Sequence, residues 1–428
     1  MNRCIIVGAS VASSLSAYVM APFFEEIVLL DCDEGLGDYR KNLQQGTQFH
    51  IFLAKGQETL RELIPNIEED FIKENCPQIV VPKEMYWSTN DGLMARSETP
   101  MAELFLMDRM ALERILLKRL KDHKNIRIET GVRVQDIMIE DGRALGVRAK
   151  KSAEELDFRG DLVVIGAGRG FPLGEILNQH GLSVPEKNFV PAEFTYLSQI
   201  RRLVKGDVPK WKIRYEQAIP PERIRGAVMA KVAEPDQYMF MLGGMKGGFP
   251  KMGEEHEFMN ALASKDFLQF YENSEAVSKP QAYRINGSQH RPYGKLGKQW
   301  PRSLLAMGDS VCAFNPVYGQ GLTVASLEAK ALKTFMTSVE DCTASYKLQK
   351  EFDHIIKAPW LMGTMEDRKL YGQSLKMSER IVAAYMKRLL RLATNDSKLS
   401  FAFTHVVHML RGPESLFRPD ILWRVLKG

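Results

Sequence analysis

Two short apolar runs near the N-terminus frame a stretch of small residues. Cys4 to Val7 reads as a buried strand, a tight turn follows, a helix begins at about Val11, and a second run, "EEIVLLDCD", ends at Asp31. Near-continuous apolar runs of this length suit strands buried on both faces, so strand, turn, helix and strand make a βαβ unit. "RMALERILLKRL", opening at Arg109, repeats Leu112, Leu116 and Leu120 every four residues and predicts an amphipathic helix, with one strand after it in "IRIETGVRVQDI". Further on, "VPAEFTYLSQIRRLV", "WKIRYEQAI", "RGAVMAKVA" and "QYMFMLGGMKG" are divided by the turn signals "GDVP", "PPERIR" and "EPDQ", which predicts a block of antiparallel strands. "EEHEFMNALASKDFLQFYENSE" predicts a helix beside that block. From about residue 341, "IIKAPWLMGTMEDRKLYG" and "RIVAAYMKRLLRLATN" place apolar positions at helical spacing beside Lys and Arg. Core packing or contact between lobes is the expected use of those faces, and peripheral contact with a membrane surface is the alternative.

Length and charge narrow the function classes. A chain of 428 residues exceeds the usual size of one domain, which predicts two lobes. The formal charge of +5, from 58 basic and 53 acidic residues, includes no long basic tract, so nucleic acid is not an expected partner. Cys4, Cys32, Cys76, Cys312 and Cys342 are odd in number and lack metal-ligand spacing, which suits a reducing compartment. No leader precedes "CIIVGAS" and no window approaches ~20 apolar residues, so a cytoplasmic location is expected. His405 and His408 stand three apart without a carboxylate partner at ligand spacing, and no metal site is expected there.

Candidate chemistry begins at the first turn. A helix N-terminus after a strand can seat a pyrophosphate on its unpaired N–H groups, and an acidic residue about 20 positions on, here Asp31, can accept from ribose hydroxyls. The glycine pattern G-x-G-x-x-G is degenerate, since Gly8 is followed by Ser10 and Ser13 at the other two positions, with Ala12 between them. A second glycine-rich stretch is "GDSVCAFNPVYGQGLTVASLEAKAL", from Gly308 to Leu332. Asp309 follows the apolar strand "SLLAMG", which sets its carboxylate at the C-terminal end of a sheet. Pro316 stiffens the loop, Gly319 and Gly321 admit backbone where side chains would obstruct, and a helix starting near Leu322 directs its positive end at whatever is bound.

"LLAMGDSVCAFNPVYGQGLTVASLEAKAL" resembles the second flavin-binding segment of the FAD-dependent aromatic hydroxylase-like monooxygenases, where a Gly-Asp pair ends a strand and a Pro-x-x-Gly-x-Gly loop starts a long helix. "DLVVIGAGRG", "QGTQFHIFLAKG" and the tail from "APWLMGTMED" to "SLFRPDILWRVL" extend the resemblance over nearly the whole chain, toward a bacterial subgroup that includes natural-product epoxidases. The resemblance implies an α/β fold: a Rossmann-like FAD-binding domain (1–75, 99–175 and 285–340), an inserted antiparallel β-sheet substrate domain (76–98 and 176–284) and a helical C-terminal region (341–428). It implies FAD held by Gly8, Ser10, Ala12, Ser13, Asp31, Arg40, Arg109 near the phosphates, Val134 at the adenine, and Gly308, Asp309, Pro316, Gly319, Gly321 and Leu322. His50, Trp211, Tyr215, Met239 and Met241 are the substrate-side candidates in a lobe rich in Met and aromatic residues, of which strand alternation brings only about half to one face.

The activity implied is hydroxylation or epoxidation of a small hydrophobic metabolite through a flavin C4a-hydroperoxide, with NAD(P)H or a separate flavin reductase as electron source. An FAD-dependent reductase or halogenase is an alternative, although no Trp-x-Trp-x-Ile segment is present, and so is a non-catalytic ligand-binding protein that keeps the fold. Departures from the family pattern bear on that last alternative. Ile165 stands where Asp is general, Phe171 where Ser is common, and Thr47 and Gln48 replace Arg and His, leaving His50 from the His-x-His pair.

Overall fold

The computed structural model describes residues 1–36 and 49–428. Its centre is a parallel sheet of five strands in the order Leu304–Ala306, Leu162–Ile165, Arg3–Val7, Glu26–Leu30, Ile126–Glu129. Cys4 to Val7 are all buried because both faces of the sheet are covered. Helices Val11–Met20, Arg109–Lys121 and Gln320–Ser338 pack on one face through residues such as Leu15, Leu112, Leu116 and Leu332. A three-stranded antiparallel sheet (Val132–Glu140, Arg143–Lys151, Glu154–Arg159) covers the other through Val132, Ile137 and Val147. The chain starts in the middle strand and builds outward on both sides, so strand order reverses there. All five C-terminal ends lie on one edge, the usual ligand edge of such sheets. The single strand expected in "IRIETGVRVQDI" is two: Gly131, at φ +69°, breaks it, sending Ile126–Glu129 into the parallel sheet and Val132–Glu140 into the other.

The second lobe is a large, mainly antiparallel sheet. Its order is Cys312–Ala313, Gln281–His290, Asn188–Leu203, Gln237–Met245, Arg225–Lys231, Ile213–Glu216, Met85–Thr89, Gly92–Leu93, with Ser274–Ala276 also on Asn188–Leu203. One internal pair, Ile213–Glu216 with Met85–Thr89, is parallel. Residue 285, the expected start of the last nucleotide-domain segment, falls inside strand Gln281–His290, which pairs with Asn188–Leu203. The helix expected in "EEHEFMNALASKDFLQFYENSE" is interrupted, leaving Glu255–Asn260 and Asp266–Glu272. Between them the Ala263 and Ser264 amides donate to the buried Glu216 carboxylate, both at 2.8 Å, which satisfies those donors without helix.

Alternation sorts the two faces of this sheet. Tyr238, Phe240 and Leu242 point to the side covered by the two short helices, with Trp211, Phe267 and Phe270. Met239 and Met241 point to the other side. There the C-terminal helices Ser345–Leu370, Met377–Leu392, Ser397–Val407 and Pro419–Lys427 form a roof, contributing Leu389, Phe403, Val406, Ile421 and Val425 to a core shared with Met85, Trp87, Ile213 and Val228.

Candidate functional site

At the N-terminal corner the geometry demands small residues for two different reasons. Gly8 has φ +97°, and a Cβ there would lie 2.8 Å from the Gly166 carbonyl oxygen, so the turn admits no side chain. Ala12 and Ser13 serve packing: the Ala12 methyl sits 2.8 Å from the Cβ position of Gly308, and the Ser13 hydroxyl 2.3 Å from that of Gly166. Ser10 is the N-cap of helix Val11–Met20, yet its side chain does not cap it. Instead its hydroxyl donates to Glu113 Oε1 at 2.6 Å and accepts from Arg109 Nη2 at 2.7 Å, while Arg109 Nε donates to the same Glu113 oxygen at 3.1 Å. The first-turn amides of the helix are thereby left to a ligand or solvent. Asp31 is buried, and its carboxylate accepts from the amides of Ala9 (2.7 Å) and Asp33 (2.9 Å), which bends it back onto the turn. Val134 is half-buried opposite Ala149 in the antiparallel sheet. Arg40, Thr47 and Gln48 lie outside the described residues, as does the His50 side chain; the backbone of Phe49–His50 pairs with Met107–Asp108.

The second corner is built where strand Leu304–Ala306 ends. Gly308, at φ +60°, donates its amide to Glu328 Oε2 at 2.8 Å. Glu328 is fully buried in helix Gln320–Ser338, its Oε1 has no partner among the described residues, and burial pushes its carboxyl up to about 8. Asp309 stays accessible on the ligand edge, with Arg169 Nη2 at 3.5 Å. Asn315 Oδ1 accepts the Val317 amide, Pro316 stiffens the turn, and Gly319 at φ +65° delivers the chain into the helix at Gln320, two residues before the expected start at Leu322. Asp367, buried in the roof helix Ser345–Leu370, accepts from Asn315 Nδ2 (3.4 Å) and the Tyr318 hydroxyl (3.1 Å), so the roof holds this loop. A Cβ on Gly321 would meet nothing within 4 Å among the described residues, which leaves space at the first turn of the helix.

Pro316 to Gln320 also form one end of a cavity of about 700 Å³ between the large sheet and the roof. Trp87, Tyr196, Tyr215, Met241, Met362 and Phe403 line it. Of the expected substrate-side residues, Tyr215 and Met241 therefore face the cavity. Met239 shares their face of the sheet but is buried in the core beneath the roof, and Trp211, which precedes strand Ile213–Glu216, packs on the opposite face against Tyr238 and Phe270. His408, one of the two histidines at which no metal site is expected, lines the cavity next to the loop. Its Nδ1 accepts the Ala54 amide at 3.2 Å and its carbonyl accepts the Lys55 amide at 3.1 Å, so it caps helix Ala54–Leu63. Burial pulls its imidazole down to about 4, and a neutral ring that accepts at Nδ1 carries its proton on Nε2. The signal that separates it from His405, whose Nδ1 faces the Phe401 carbonyl, is tertiary and absent from the local sequence.

These features fit an elongated dinucleotide cofactor. Uncapped amides at Val11–Ser13 suit a pyrophosphate, Asp309 offers a carboxylate on the same edge, and the space at Gly321 admits a flat ring beside a helix N-terminus. No protein-family model matches the chain. It is 24% identical over 390 residues to Protein Rv3254 of Mycobacterium tuberculosis (strain ATCC 25618 / H37Rv), spanning 86% of this chain and 80% of that one. In fold it is similar to a flavoprotein/dehydrogenase from Cytophaga hutchinsonii (TM-score 0.69, 10% identity, 99% of this chain and 96% of the other). It is also similar to p-nitrophenol 4-monooxygenase PnpA from Pseudomonas putida DLL-E4 (0.64, 13%, 96% and 100%) and to the flavin-dependent brominase Bmp2 (0.63, 12%, 96% and 98%).

Proposed function

We propose that the chain is an FAD-dependent oxidoreductase acting on a small hydrophobic substrate held in the 700 Å³ cavity. The observation that carries this reading is a shared wall: the Pro316–Gln320 loop that borders the cofactor corner is also the end of the cavity. Residues Gly8 to Ser13 and Arg109 hold the pyrophosphate, and Asp309 accepts from the ribityl chain. When bound and reduced by NAD(P)H or by a separate flavin reductase, FAD supplies the redox chemistry with dioxygen. The chain supplies the surroundings. The positive end of helix Gln320–Ser338 stabilises negative charge at the cavity wall, the roof helices exclude water, and His408 Nε2–H donates to an oxygen of the substrate.

Oxygen transfer, as hydroxylation or epoxidation, is the first finer reading; halogenation is the second, favoured by the likeness in fold to a brominase. One experiment separates them. Purified protein is loaded with FAD, reduced, and given an apolar alkene or phenol under isotopically labelled dioxygen, with and without bromide. Label in the product supports oxygenation, and bromide-dependent bromine in the product supports halogenation. A colourless protein that takes up no FAD removes both and leaves a ligand-binding protein.

A further inference from the structure

The positive charge of this molecule is concentrated in its roof. Residues 376–428 hold ten Lys and Arg against four Asp and Glu, whereas the preceding 375 hold 48 against 49. The same segment exposes large apolar side chains: Met377 (69%), Ile381 (64%), Phe417 (40%), Trp423 (60%) and Leu426 (65%). They adjoin one another. Ile381 lies one turn before Tyr385, whose ring stacks on Phe417 at 4.8 Å, and Arg388, on the same side of helix Met377–Leu392, donates to the carbonyls of Val425 and Leu426. In helix Pro419–Lys427, Ile421 and Val425 face the core, which turns Trp423, Leu426 and Lys427 outward as one stripe. Arg380 and Arg391 are exposed and have no acidic partner among the described residues.

We propose that this face docks on an anionic lipid surface. Apolar and aromatic side chains enter the headgroup boundary while the surrounding Lys and Arg meet lipid phosphates, the arrangement of an interfacial amphipathic helix. Charge decides between this occupant and a second copy of the chain, because a two-fold contact would set two basic faces against each other. None of the described helices is long and apolar enough to cross a membrane, so the contact is peripheral. Phe417 belongs both to the exposed face and to the cavity lining, which brings the cavity wall to the docked surface. Direct entry of an apolar substrate from the bilayer rests on the function proposed above; the docking does not.

Sedimentation with vesicles tests the docking without any substrate. The full chain is mixed with vesicles of phosphatidylcholine alone and of phosphatidylcholine with phosphatidylglycerol. The expected result is sedimentation with the anionic vesicles only, weakened about tenfold in high salt as screening shortens the reach of the charges. The double variant Ile381→Ser/Trp423→Ser, at exposed positions, is expected to lose about tenfold in vesicle affinity while keeping the parent's melting temperature and FAD content. No sedimentation with either vesicle, equal sedimentation with both, or full binding by the double variant overturns the proposal. So does a stable dimer in solution that the same double variant dissociates.

Discussion

Glu113 is an unusual neighbour for a phosphate seat. Its carboxylate is buried within one hydrogen bond of the helix N-cap and neutralises Arg109, the cation best placed to meet a pyrophosphate. An anion near a helix N-terminus is favourable by itself, but its charge repels a second anion seated on the first-turn amides. Glu113→Gln keeps an acceptor for Ser10 and Arg109 and removes the charge. It is expected to tighten FAD binding about tenfold, an effect of about 1.4 kcal/mol. Asp309→Ala removes an accessible acceptor and is expected to weaken binding by about tenfold or more. Titration of apoprotein with FAD, followed by flavin fluorescence, measures both. Weaker binding in Glu113→Gln would show that the carboxylate chiefly orients Arg109. These roles were out of reach of local sequence: a serine at the second glycine position predicts a phosphate contact, whereas a residue about 100 positions away takes its hydroxyl.

The loop and helix from Gly308 to Ser338 show why one element was legible and another was not. Its conformation is written in its own residues: Asn315 caps, Pro316 stiffens, Gly319 adopts φ +65°, and the helix follows. The helix break between residues 261 and 264 depends on Glu216, distant in sequence, so helical spacing alone ran through it. Likewise, alternation put Met239 and Met241 on one face, but only the roof helices determine that Met241 lines the cavity and Met239 does not. The two glycines of the loop separate a backbone role from a cofactor role. Gly319→Ala forces a side chain into a left-handed conformation with its Cβ 2.9 Å from the Ile51 carbonyl oxygen, and is expected to cost about 1–2 kcal/mol of stability. Gly321→Ala meets no atom of the described residues within 4 Å and, inside a helix, is expected to leave stability unchanged or slightly raised. Its methyl occupies the space proposed for the flavin, and FAD affinity is expected to fall about tenfold. Melting temperature and FAD titration on the pair decide it; a stable Gly321→Ala that binds FAD normally removes the ring from that position.

Across the whole molecule, two buried titratable groups make stability depend on pH in opposite directions. Glu328 lies in the core of the nucleotide lobe, and His408 joins the roof to helix Ala54–Leu63. Burial raises the Glu328 carboxyl from 4.5 to about 8, so the folded chain keeps a proton that the unfolded chain releases, and stability is lost as pH rises from 4.5 toward 8. Burial lowers His408 from 6.5 to about 4, so the unfolded chain binds a proton that the folded chain refuses, and stability is lost as pH falls from 6.5 toward 4. Between 4.5 and 6.5 the two slopes, each about 1.4 kcal/mol per pH unit, cancel. Above 6.5 only Glu328 acts, which predicts a fall of about 2 kcal/mol by pH 8. The buried thiols of Cys4, Cys312 and Cys342 and the half-buried thiols of Cys32 and Cys76 are all pushed up, chiefly by burial, but their unfolded counterparts ionise only near ~8.5 and add little below pH 8. Glu328→Gln, which retains an acceptor for the Gly308 amide, is expected to abolish the alkaline fall and to be more stable than the parent at pH 8. His408→Asn, which retains an acceptor for the Ala54 amide, is expected to flatten the loss below pH 4.5 and, with nothing left to offset Glu328, to make the alkaline fall begin at pH 4.5 instead of 6.5. Urea unfolding midpoints of the parent and both variants across pH 4 to 8 test the assignment; an alkaline fall that persists in Glu328→Gln would mean that the folded chain ionises this carboxyl at no cost.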